Sequence, residues 1–147
     1  MVWFREAVES DVPGIVALLA DDSVAKGREG AAAEVYLAAF AAIRDDPSVV
    51  MLVAEDDGRI TATAQLTFLR GLSRGGMIRA LVEAVRVAPD LRSRGVGAAL
   101  MAEIEARART AGAGMVQLTS DKQRTRAHAF YRRLGYDQSH EGFKKLL

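Results

Sequence analysis

The chain has no cysteine among its 147 residues, which excludes disulfides, a thiolate nucleophile and a cysteine-bound zinc site. Its only histidines, His128 and His140, are well separated in sequence, so no histidine-rich metal site is expected. No apolar run approaches the roughly eighteen residues of a membrane span, and no basic segment followed by a long apolar run opens the chain. The expectation is a cytoplasmic protein with no membrane partner. Charge of one sign is lacking too: 20 basic side chains face 19 acidic ones, leaving +1. Bulk electrostatics give no reason to expect nucleic acid, and any basic patch must be local. Proline is scarce, and each of the three marks an element boundary: Pro13 opens a helix, Pro47 ends one and Pro89 stops a strand. No repeat or linker interrupts the chain, so residues 1–147 read as a single domain, long enough to bury a core without staples.

What is present is organised around the stretch from Val85 to Leu100. Val85 and Val87 alternate with Arg86 at period two, as in a strand that Pro89 and Asp90 stop. A basic turn follows. From Gly95 the period changes, and Val96, Leu100 and Ile104 recur every four residues along a helix expected to run to about Ala111 and close at Gly112. The first amides of such a helix have no internal partner and carry the positive end of its dipole, so they favour an anion. Gly95 and Gly97 allow a phosphate to approach the backbone, and Arg92 and Arg94 add fixed positive charge. The spacing is not that of a P-loop, and Leu100 stands where the dinucleotide fingerprint has its third glycine.

Two motifs together carry a resemblance: Arg92-x-x-Gly95-x-Gly97 directly after a Val-x-Val strand, and Ala127-x-x-Phe130-Tyr131-x-x-Leu134-Gly135-Tyr136 some way on. In both, and in element order, the chain resembles the GNAT superfamily of N-acetyltransferases. Gln117 to Lys122 and Ser139 to Lys144 are similar to a group of small bacterial members whose substrates are unassigned. The resemblance implies an α/β (α+β) fold with a mixed, mostly antiparallel sheet of about six or seven strands flanked by about four helices. It implies acetyl-CoA as co-substrate and transfer of the acetyl group to a primary amine, on a small molecule or a protein, by direct attack in a ternary complex. A homodimer is possible. The alternative is a non-catalytic acyl-CoA-binding or regulatory module on the same fold.

The same resemblance implies co-substrate contacts from Val85, Arg86 and Val87 on the strand, from Arg92, Ser93, Arg94, Gly95, Val96, Gly97 and Ala98 on the turn, and from Arg124, Phe130 and Tyr131 beyond it. Pantetheine would enter a splay between the Val85–Val87 strand and the one at Met115–Thr119, extending the sheet through its amides. Tyr131 would lie near the CoA sulfur and protonate or stabilise the leaving thiolate; packing in an amphipathic helix with a satisfied hydroxyl is the structural alternative. An asparagine that the family often carries just before the Tyr131 motif is replaced here by Gln123 and Arg124, so Arg124 is expected either to reach the CoA phosphates or to lie solvated. Glu83 is read as a candidate general base, because strand alternation puts it on one face with Leu81, Val85 and Val87; an ion pair with Arg79 or Arg86 is the structural alternative. His128 and His140 are read as structural residues that could touch substrate, and Trp3, Tyr36 and Phe40 as core or acceptor-pocket aromatics.

In order, the pattern predicts a strand over Val2–Val8, a helix started by Ser10-Asp11-Val12-Pro13 with Ile15, Leu18 and Leu19 inside, and a polar loop from Asp21 to Gly30. A second helix follows over Ala31–Arg44 with Val35, Leu37, Ala38, Ala41 and Ile43 as core positions. A hairpin turning at Asp57-Gly58, a third strand over Met77–Val87, the Gly95 helix, a strand at Met115–Thr119, a helix over Thr125–Leu134 and a final strand over Tyr136–Leu147 complete the reading.

Overall fold

A computed structural model describes residues 2–24 and 26–147. Five strands form one sheet in the order β1-β2-β3-β4-β5: β1 Val2–Glu6, β2 Val49–Asp56, β3 Arg59–Leu69, β4 Arg79–Val87 and β5 Met115–Leu118. The first three junctions are antiparallel and β4 pairs β5 in parallel. The helices are α1 Val12–Ala20, α2 Ala33–Arg44, the single turn α3 Ser73–Gly76, α4 Val96–Thr110 and α5 Thr125–Arg133. Among the described residues no helix is long and apolar enough to cross a membrane.

Alternation along β2 and β3 sorts the two faces. Leu52, Ala54, Ala62, Ala64 and Leu66, with Val82 of β4, face α4, whose Leu100, Met101 and Ile104 complete a cluster without solvent exposure. The four-residue stripe of α4 explains this docking, and each such large side chain contributes about 1.5–3 kcal/mol on burial. The opposite face carries Val53, Thr61 and Thr63 beneath α1 and α2. The two threonines are tolerated there because their hydroxyls donate to the carbonyls of Ala54 and Leu52, at 3.2 and 2.9 Å.

The expected final strand is absent. Residues 137–147 are irregular, Phe143 and Leu146 are more than nine-tenths exposed, and the sheet ends at β5 with five strands instead of six or seven. Gly142 interrupts the segment, its alternation is weak, and no backbone hydrogen bond among the described residues ties it to β5. In α2 the buried residue is Phe40; Val35 is 55% exposed and Ala38 also faces solvent, so the inward stripe is rotated from the one expected. Trp3 is 64% exposed on the edge strand and belongs to no core.

Candidate functional site

The β4 strand builds the site by losing its partners halfway. On one side β5 pairs only with Arg79–Val82, so from Glu83 onward β4 has no strand partner there among the described residues. On the other side the register with β3 slips between Thr63 and Gln65, and Ala84 adopts φ 53. This is a β-bulge, which turns the strand and resets its alternation. Val85 and Val87 consequently join Val82 on the α4 side. Glu83, paired with Gln65, and Arg86, paired with buried Thr63, lie on the other face. The expectation that Glu83 shares a face with Val85 and Val87 is therefore corrected, because a period of two does not survive an inserted residue. Glu83 is exposed, and neither suggested partner reaches it: Arg79 bonds Gln117 at 3.1 Å and Arg86 turns to Asp22.

Beyond β4 the chain tightens into the turn that starts α4. Ser93 (φ 62) and Gly95 (φ 84) are both left-handed, Gly95 is the N-cap, and no side chain caps the helix. The amides of Val96, Gly97 and Ala98 thus have no partner in the described backbone network, the arrangement that receives phosphate oxygens. Arg92 reaches back to the Val87 carbonyl at 3.3 Å and to Asp21 at 3.1 Å, while Ser93 and Arg94 stay exposed. Gly97 has a second reason to be glycine. A Cβ there would come within 3.3 Å of the Phe130 ring and 3.7 Å of Val87, so α5 packs directly on this point of α4.

That packing positions Tyr131. Phe130 and Tyr131 meet edge-on at 5.1 Å, Tyr131 meets Tyr136 likewise at 5.9 Å, and the Tyr136 hydroxyl donates to Glu105 at 3.2 Å. The Tyr131 hydroxyl itself has no hydrogen-bond partner among the described residues. Burial pushes it above the ordinary tyrosine range, partly offset by the charges of Arg86 and Arg124. A tyrosine so placed keeps its proton at neutral pH and can donate a hydrogen bond to a developing anion.

Arg124, expected on phosphates or in solvent, is not simply solvated. Its guanidinium lies 2.5 Å from the Asp22 carboxylate, whose same oxygen takes Arg86 at 2.7 Å. Asp22 is 1% exposed, and its other oxygen accepts from the Val24 amide. The sequence offered Asp22 only as part of a polar loop, and nothing local distinguishes it: its partners are 64 and 102 residues away. His128 lies 2.8 Å from the Asp121 carbonyl and His140 beside Ser139, both exposed contacts made locally. Tyr36 donates to Glu29 at 3.2 Å. An open depression of about 670 Å³ lies elsewhere, between α1 and the β2–β3 turn, where Arg5 pairs with Asp11 and Glu55.

Uncapped amides at the start of α4 and an unpartnered β4 edge beyond Val82 fit a ligand with phosphates at one end and an extended amide chain at the other. The profile described as "Acetyltransferase (GNAT) family" matches residues 14–136, and the chain belongs to that family of acetyl-CoA-dependent N-acetyltransferases. It is 37% identical over 108 residues, 74% of this chain and 70% of the other, to an aminoalkylphosphonate N-acetyltransferase from Salmonella typhimurium. Among solved structures it is similar to a protein from Bacillus halodurans C-125 named a transcriptional regulator, with 37% identity, TM-score 0.95 and full coverage of both chains. An aminoglycoside N-acetyltransferase in complex with CoA shares the fold at 16% identity, with TM-score 0.83 over 100% of this chain and 95% of that one.

Proposed function

We propose that acetyl-CoA binds with its pyrophosphate on the amides of Val96, Gly97 and Ala98, assisted by Arg92, Ser93, Arg94 and Gly95, and with its pantetheine along Val85, Arg86 and Val87. The acceptor is a small primary amine. Its neutral nitrogen attacks the thioester carbonyl, the carbonyl oxygen is steadied by a β4 amide near Val87, and the C–S bond breaks as the amide forms. The proton lost by the nitrogen passes to Glu83 through water. The departing thiolate is steadied by a hydrogen bond from the Tyr131 hydroxyl and ends with the proton that the amine lost, leaving N-acetylated amine and CoA thiol.

The observation that carries this reading is the unpartnered Tyr131 hydroxyl, held protonated by burial beside the half of β4 that β5 leaves open. Relatives named as N-acetyltransferases do not favour the non-catalytic alternative. The test is release of CoA thiol from acetyl-CoA across a panel of small amines. Tyr131→Phe, which keeps the ring, is expected to lower kcat about a hundredfold with CoA affinity and melting temperature little changed. A wild-type kcat in that variant, under conditions where chemistry limits the rate, removes Tyr131 from the mechanism; absence of turnover with any amine removes the reading.

A further inference from the structure

Two guanidiniums and one carboxylate meet where β4 leaves β5. Asp22 is satisfied, with one oxygen shared by Arg86 and Arg124 and the other on the Val24 amide. The arginines are not. Arg86 spends one nitrogen on Asp22 and another on the carbonyl of its neighbour Val85 at 2.9 Å, and its buried Nε has no partner. Arg124 makes no other hydrogen bond through its side chain among the described residues. Side-chain exposure is 14% for Arg86 and 24% for Arg124, so water covers little of the excess charge. A part-buried site with one uncompensated positive charge is costly unless something negative completes it. The planar guanidinium fork suits a carboxylate or a phosphate-like group.

The position says which ligand would bring that group. Both arginines act on Tyr131, and Arg28 from the same loop as Asp22 adds its charge to Arg86. The cluster lies on the face of β4 that carries Glu83, away from Val85 and Val87, so on the proposed reading it borders the approach of the amine. The pyrophosphate belongs to the start of α4 instead. Asp22 holds the two guanidiniums side by side and leaves their remaining N–H groups for a second anion. We propose that the acceptor is a primary amine carrying its own carboxylate, phosphate or phosphonate, bound by Arg86 and Arg124 beside Tyr131. This rests on the acetyl-transfer reading of the same site and adds the substrate class.

The experiment compares matched amines, ethanolamine against O-phosphoethanolamine and β-alanine, with the whole enzyme and saturating acetyl-CoA. The anionic acceptors are expected to exceed the neutral one in kcat/KM by about ten- to a hundredfold, the size of one or two hydrogen bonds to a charged group. Arg124→Gln should abolish that preference mainly through KM, while the dissociation constant for acetyl-CoA, measured by calorimetry, stays put. Equal kcat/KM for neutral and anionic amines overturns the inference while leaving acetyl transfer intact. An Arg124→Gln variant that loses acetyl-CoA affinity as strongly as acceptor KM overturns it too, by assigning the arginine to the co-substrate. If no amine is turned over, the transfer reading fails, and inorganic phosphate decides the rest. With CoA occupying the α4 turn, phosphate should raise the melting temperature of wild type but not of Arg124→Gln, and identical shifts in the two refute the anion site.

Discussion

On the proposed reading the turn that opens α4 meets the pyrophosphate and the cluster around Asp22 meets the acceptor's anion, and the two are built in opposite ways. The turn works through main-chain amides and left-handed backbone at Ser93 and Gly95, all within a few residues of one another. The cluster works through side chains from the loop after α1, from β4 and from the start of α5. A backbone device tolerates changes of side chain and fails when its conformation is denied. A side-chain device tolerates backbone detail and fails when a charge is removed, because what remains is an uncompensated charge out of water.

The largest expected effect therefore belongs to the cluster. Asp22→Asn keeps the size of the side chain and removes the charge that Arg86 and Arg124 share. Breaking a buried ion pair costs about 3–5 kcal/mol, and with arginines this partly exposed the lower end applies, about 3 kcal/mol. For a chain of this size that is roughly 6–12 °C in melting temperature. Inorganic phosphate should restore more of the loss in Asp22→Asn than it adds to wild type. A variant that melts within a degree or so of wild type would show that the carboxylate is dispensable and the contrast between the two regions overstated.

The same contrast explains what the sequence allowed one to read. The turn was legible because its signal is local: a period-two strand, arginines, two spaced glycines and a period-four helix lie in one window, and the structure has them in that order. The hairpin at Asp57-Gly58 and the α4 stripe of Leu100 and Ile104 were legible for the same reason. Glu83 was placed on the wrong face because the bulge at Ala84 leaves no mark in a pattern of alternating residues, and alanine is not a residue that advertises a positive φ. The Asp22 cluster could not be read, since its members are joined only by the folded chain. The pattern over Tyr136–Leu147 supports a strand only weakly, being interrupted at Gly142, and the structure leaves Phe143 and Leu146 exposed there.

Gly97 tests whether the turn is as purely a backbone device as the comparison holds. If glycine is needed only so that phosphate can approach, Gly97→Val should weaken CoA binding and leave the free enzyme's stability alone. The 3.3 Å approach to Phe130 predicts more than that: overpacking of about 1–3 kcal/mol, visible as a lower melting temperature without any ligand. Adding Phe130→Leu, which shortens the obstructing ring, should recover part of the stability but not the CoA affinity. Full recovery of both in the double variant would make the glycine a packing residue and remove it from phosphate binding.

Gly95 gives the smallest effect and the cleanest one. A Cβ at this position meets nothing within 4 Å, so crowding cannot enter. Only φ 84 argues for glycine, and a left-handed alanine costs about 1 kcal/mol. Asparagine tolerates that region better, so Gly95→Asn should lose clearly less stability than Gly95→Ala, although its side chain is the larger of the two. Melting of the free enzyme measures the conformational cost, and calorimetry with CoA measures whether either side chain obstructs the phosphates. If alanine and asparagine cost the same, or asparagine more, the left-handed cap does not hold the amides in place. The turn would then owe its shape to the Arg92 contacts with Val87 and Asp21, a side-chain device after all.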